Sequence, residues 1–187
     1  MRQIMMFGLG LLLLPMAVKA LPGQTSEDVA DWIKSHPVLR PGPGERLWVR
    51  KSNTPARRFQ FQASSLVPGR AELRGSANLI RSERLHLFDL VAGVTRDRLE
   101  ELLRSIYGPA LMEDYRRAVV VFRYPQGEQR GDHRNATVQA LRGELRRGEQ
   151  FSYWLELVQT SPQKAISGQI TVFATADLEK LQADLSR

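Results

Sequence analysis

The stretch "RLWVRKSNTPARRFQFQ", residues 46–62, decides how the rest of the chain is read. In its first half Leu47 and Val49 alternate with Arg46, Trp48 and Arg50. In its second half Phe59 and Phe61 alternate with Arg58, Gln60 and Gln62. Successive side chains of a strand point to opposite faces, so each half presents one apolar and one polar face. Two such runs around a turn, about 46–51 and 57–63, describe a half-buried antiparallel hairpin.

The flanks extend this pattern. Upstream, "TSEDVADWIKSHP" (25–37) reads as a helix. Thr25 caps it, Asp28 closes a capping box, Val29, Trp32 and Ile33 form the apolar stripe, and Pro37 ends it. "RPGPGE" (40–45) is a stiff connector onto the hairpin. Downstream, a strand over about 79–88 carries Leu85 and Leu87 on one face. "TRDRLEELLRSIYGP" (95–109) is a helix with Leu99, Leu102, Leu103 and Ile106 as its stripe, capped by Thr95 and stopped by Gly108-Pro109. "AVVVFRY" (118–124), apolar on both faces, reads as a central strand. Strands over 137–146, 151–159 and 165–173 follow, with Gly143 marking a bulge. Within the second of these, "FSYWLELV", Trp154 stands opposite Phe151 and Tyr153. Leu178, Leu181 and Leu185 form the stripe of a last helix over 175–185. The order α-βββ-α-ββββ-α indicates an α+β fold: an antiparallel sheet of about six to seven strands backed by two to three helices, as one domain over residues 21–187.

Residues 1–20 read as a cleaved secretory signal. Arg2 gives a minimal basic region, "IMMFGLGLLLLPMAV" (4–18) is apolar, and Val18 and Ala20 are the small residues a signal peptidase needs. The apolar run is short for a bilayer span of about 20 residues, so the chain is expected to be exported and not transmembrane after cleavage. Removing the signal takes Arg2 and Lys19 and no acid, which lowers the formal charge from +7 to +5. The chain has no cysteine, which excludes disulfides, thiol chemistry, cysteine zinc sites and lipid acylation at cysteine. Arginine outnumbers lysine 22 to 5, a bias that suits anion recognition and that a GC-rich genome also produces.

Catalytic signatures are sparse. His36, His86 and His133 lack metal-ligand spacing, and Asp132 beside His133 reads as turn chemistry. Ser76 after Gly75 lacks the second glycine of a nucleophile elbow, and the prolines of "PGPGE" remove amide donors that a phosphate cradle requires. "NAT" (135–137) matches a glycosylation acceptor of the kind that recurs by chance. Glu144 and Glu156, on neighbouring expected strands, could face one another as the carboxylate pair of a glycosidase, although strand glutamates beside so many arginines more often form weak surface ion pairs. No cofactor and no metal are expected.

Two stretches, "LPGQTSEDVADWIKSHP" (21–37) and "PGPGERLWVRKSNTPARRFQFQAS" (41–64), resemble those of uncharacterised exported proteins of cyanobacteria. The resemblance spans most of residues 21–187. It implies a periplasmic or thylakoid-lumen setting and brings no catalytic residue with it.

Trp48, Arg46 and Arg50 share a strand face, and Arg58 and Gln60 are expected across the hairpin on the same side. An aromatic ring among guanidiniums could stack a sugar or base while the arginines hold an anion. Alternatively, Trp48 is covered by a helix or by the "PGPG" connector, as most tryptophans are largely buried. The expectation is an exported, non-enzymatic binding or accessory domain, in the periplasm, thylakoid lumen or extracellular space. Its partner would be an anionic lipid, an acidic polysaccharide or a protein, and not nucleic acid, from which export separates it. The rival expectation is a cofactor-free hydrolase of cell-wall or storage polymers using paired carboxylates.

Overall fold

The computed structural model describes residues 21–69, 78–125, 140–161 and 164–186. Helix α1 (Ser26–Ser35) precedes strands β1 (Trp48–Thr54), β2 (Arg57–Ser64) and β3 (Ser82–Asp89). Helices α2 (Arg96–Tyr107) and α3 (Pro109–Arg117) follow. Strands β4 (Val119–Tyr124), β5 (Ala140–Arg147), β6 (Phe151–Ser161) and β7 (Lys164–Ala174) lead through one 3-10 turn into α4 (Leu178–Leu185). The strands form one seven-stranded sheet in the order β1-β2-β3-β7-β6-β5-β4, antiparallel throughout. The fold is α+β, as the strand and helix runs predict. Two meanders, β1–β3 and β4–β7, meet where β7 returns to pair with β3.

Alternation then sorts the side chains. Val49, Phe61, Leu85, Ile170 and Leu155 stand opposite one another across five strands and are all buried. Helices α1, α2 and α3 pack Val29, Ile33, Leu99, Leu103, Ile106 and Met112 against this face. The opposite face holds a smaller core, in which Phe122, Leu145, Trp154 and Phe173 lie with Leu178 and Leu181 of α4. The helices therefore lie on both faces of the sheet. β6 feeds both cores, with Tyr153 buried in one and Trp154 in the other.

Local signals act much as written. The Thr25 hydroxyl accepts from Asp28 N–H at 3.2 Å and donates to the Asp28 carboxylate at 2.6 Å, while Thr95 accepts from Arg98 N–H at 3.3 Å. The connector before β1 is tied to the sheet edge by Glu45. One carboxylate oxygen accepts from Gly42 N–H at 2.8 Å and the other from Arg50 N–H at 2.9 Å.

Three details differ from the expectation. The helix stopped by Gly108-Pro109 ends there as expected, but a second helix that was not expected follows at once: Gly108, at φ 81°, turns the chain, and Pro109 opens α3 at its first position. Proline suits that position because its missing N–H would be unpaired there anyway. The apolar strand "AVVVFRY" is an edge strand, not a central one; Val119 is 67% exposed, and the register slips between Val120 and Phe122. Its hydrophobicity serves the second core, where Val121, Phe122 and Tyr124 pack. Gly143 is not a bulge. An added Cβ there would lie within 2.2–2.7 Å of the Tyr124 ring, so the glycine makes room for that ring across β5.

Three carboxylates, Glu83, Asp89 and Glu144, are buried on the face covered by α1, α2 and α3, and two of them are held in contrasting ways. Glu144, in the row beyond Leu155, is clasped by Arg96 (2.5 Å), Arg146 (2.6 Å) and Arg123 (3.4 Å). Burial pushes its pKa up, but the bonds and charges of Arg96 and Arg146 outweigh burial and hold it at about 2. Glu83 accepts from the Tyr107 hydroxyl at 2.6 Å, and its second oxygen has no partner among the described residues. Complete burial raises its pKa to about 7 against the opposing Tyr107 bond.

The two groups act in opposite pH windows. Glu144 contributes stability above its unfolded pKa, and this is lost as pH falls toward 2. Glu83 binds its proton more tightly when folded, so stability falls as pH rises from about 4.5 to about 7. Glu83→Gln is therefore expected to flatten the melting-temperature profile between pH 5 and 7.5, removing a loss of at most about 3 kcal/mol. An unchanged downward slope in thermal melts of the variant would contradict this.

Candidate functional site

The second sheet face divides in two. Helix α4 covers its β4–β7 half, whereas no described helix packs on its β1–β2–β3 half. Register places the side chains there in rows. One row runs Ser52, Arg58, Phe88, Ser167, and the next runs Arg50, Gln60, His86, Gln169, Glu156. The third runs Trp48, Gln62, Arg84, Thr171, Trp154.

Four of the five expected site residues thus share one face. Trp48 and Arg50 come from β1, and Arg58 and Gln60 from β2. Arg46 precedes β1 and is exposed in the bend leading into it, outside the strand rows. Trp48 belongs to neither core and is half-buried, with the Arg50 guanidinium 4.6 Å from its ring centre. A second cation–π pair sets the Arg58 guanidinium 4.4 Å from the Phe88 ring centre. Each guanidinium is held by a neighbouring ring and still faces solvent.

One strand further in, the sequence reading misses a second group. Arg84 is half-buried, and its Nε is shielded from solvent without a hydrogen-bond partner among the described residues. Burial lowers its pKa and the charge of Glu156 acts against that. Arg84 lines a cavity of about 360 Å³ with Gln62, Ser64, Ser82, Gln169, Trp154 and the segment Leu66–Gly69. Ser82 Oγ donates to Leu66 C=O and Ser64 Oγ accepts from Leu66 N–H, both at 3.1 Å, which fixes that segment as the cavity wall.

Behind the cavity runs a polar chain. Trp154 Nε1 donates to the Tyr124 hydroxyl at 2.7 Å, Tyr124 donates to Glu156 at 2.5 Å, and Gln169 donates to Glu156 at 3.3 Å. Alternation carries the signal that was missed: Leu85 and Leu87 point to the helices, so Arg84 and His86 must point the other way.

Several catalytic possibilities are settled by placement. Glu144 and Glu156 face opposite sides of the sheet, so this pair cannot flank one glycosidic bond. His86 Nε2 lies 2.7 Å from Ser167 Oγ; burial, then Arg84 and Arg58, lower its pKa and keep the imidazole neutral at pH 7. Among the described residues no carboxylate is bonded to it, which leaves the base of a serine relay without an orienting partner. His36 holds backbone: Nδ1 accepts from Val38 and Leu39 N–H at 3.2 and 3.3 Å, and Nε2–H donates to Ile106 C=O at 3.0 Å. Ser76, Asp132, His133, Asn135 and the signal segment lie outside the described residues. No described helix is long and apolar enough to cross a membrane.

Comparison of the chain with protein-family models, curated proteins and solved structures returned no match.

The polar chain depends on Gly143, because Tyr124 occupies the space of its missing side chain. Gly143→Ala is expected to cost about 1–3 kcal/mol, the usual range for overpacking. It should also displace the Tyr124 hydroxyl from Trp154 and alter tryptophan emission. A variant with the parent's melting temperature and spectrum would refute that dependence.

Proposed function

We propose that this chain is an exported, non-enzymatic binding domain that engages an acidic partner through the β1–β2–β3 half of its second sheet face. The observation that carries the proposal is the segregation of charge. On that half the rows contain Arg50, Arg58 and Arg84 and no carboxylate, while the acids of β3, Glu83 and Asp89, alternate to the helix-covered side. A surface of one sign attracts anions and steers their approach. The aromatic partners of Arg50 and Arg58 add to this, because a guanidinium already held over a ring loses less freedom when an anion docks.

Purified protein is expected to be retained on heparin or on vesicles with anionic headgroups, and to be released as salt rises. The double variant Arg50→Gln/Arg58→Gln should bind about thirtyfold more weakly, taking about 1 kcal/mol for each cation near an anionic surface. Its thermal melt should match the parent's. A parent that is not retained, or a variant released at the parent's salt concentration, would remove the reading. Which of the two matrices retains the parent separates polysaccharide from lipid as the partner.

A further inference from the structure

We infer that the Arg84 cavity is a binding site for a single carboxylate carried on a hydroxylated ring: a sugar acid, free or as one unit of an acidic polysaccharide. This deepens the reading of the same face as an anion-binding surface and names the ligand class.

Arg84 sets the charge requirement. Arg84 lines the cavity, and its Nε is out of water with no hydrogen-bond partner among the described residues. A buried donor left unpaired is costly, and a carboxylate supplies two in-plane acceptors matched to the guanidinium fork. The local charge favours a monoanion over a phosphate dianion. Arg84 is the one cation among the described lining residues, and Glu156 already offsets part of its charge. His86, its neighbour on the same face, is held neutral.

The remaining lining describes the body of the ligand. Gln62 and Gln169 offer amide donors and acceptors without charge, as hydroxyl groups require. Leu66, Val67, Pro68 and Trp154 form an apolar wall against which the C–H face of a ring can lie. The volume, about 360 Å³, sits at the small end of ligand pockets, which run from about 300 to 1,000 Å³, and suits one substituted ring. The hairpin borders the cavity: Gln62 lines it and pairs in register with Trp48. A polymer bound at Arg84 by one unit would continue over Trp48 and Arg50.

The test is a titration of the parent protein with glucuronate, with glucose, acetate and inorganic phosphate as comparison ligands, followed by NMR of the tryptophan indole and glutamine amide protons. Glucuronate is expected to shift the signals of Trp154, Gln62 and Gln169. Glucose, acetate and phosphate should each bind at least about tenfold more weakly. Arg84→Gln should cost about tenfold or more in glucuronate affinity, with Arg84→Lys intermediate, because lysine keeps the charge without the fork. Arg50→Gln/Arg58→Gln should lower the salt needed for release from heparin whether or not glucuronate binds. No glucuronate shift, phosphate binding as tightly as glucuronate, or full affinity in Arg84→Gln would each overturn the assignment. The ligand comparison uses the parent alone, so it decides the matter even if the Arg84 variants do not fold. Loss of heparin retention in the double variant without any glucuronate binding would leave the surface reading standing and the pocket refuted; the converse would do the reverse.

Discussion

The pairing of β3 with β7 is the constraint on which the rest depends. Each meander is local in sequence, and this one ladder, with Leu85 opposite Ile170 and Arg84 opposite Thr171, fuses the two into a sheet. Its register also settles chemistry. A slip of one residue would turn Arg84 and His86 toward the helices and push Leu85 and Leu87 into solvent. The core face, the arginine-bearing face and the cavity on that second face are thus three results of one alignment. Leu85 and Ile170, both fully buried, hold it in place.

The face covered by α1–α3 carries charge as well as hydrocarbon, and it treats Glu144 and Glu83 differently. Glu144 lies at the margin of the layer, where three arginines can reach it, and remains ionised. Glu83 sits deeper, with one tyrosine for company. Burial without a counter-charge favours the neutral acid, whereas burial with guanidinium donors favours the carboxylate. Part of the chain's arginine excess therefore serves its own interior. Arg96 and Arg146 hold Glu144, Arg98 reaches Asp89 at 3.0 Å, and Arg81 is paired with Asp177.

Much of the architecture was legible in the sequence because strand alternation and helical stripes are local signals. The hairpin of residues 46–62, the caps at Thr25 and Thr95 and the stripe through Leu178 and Leu181 needed no tertiary information. What was not legible required a distant partner. "AVVVFRY" looks central because composition reports burial and not strand order; its apolar residues meet α4 from the edge. Gly143 looks like a bulge until Tyr124 is seen lying across it. Glu144 and Glu156 look like a pair because each lies on a neighbouring strand, yet counting from Trp154 shows Glu156 on the α4 side and the β5–β6 register puts Glu144 on the other. On the expected binding face, alternation united Trp48, Arg50, Arg58 and Gln60, while Arg46 fell outside the strand. Arg84 was implied by the same alternation, but its cavity exists only through the wall at residues 66–69, which nothing in β3 announces.

The tie made by Glu45 has a consequence for how copies of this chain meet. The outer margin of a terminal strand presents free N–H and C=O groups, a template onto which another chain can add in β form. At β1 the Arg50 N–H that would receive such a strand is already occupied by the Glu45 carboxylate, and the proline-rich segment before it cannot supply a ladder of its own. At the far margin the irregularity at Val121 interrupts the straight run a docking strand would need. Both rims of the sheet are thereby interrupted against the templated addition of further strands.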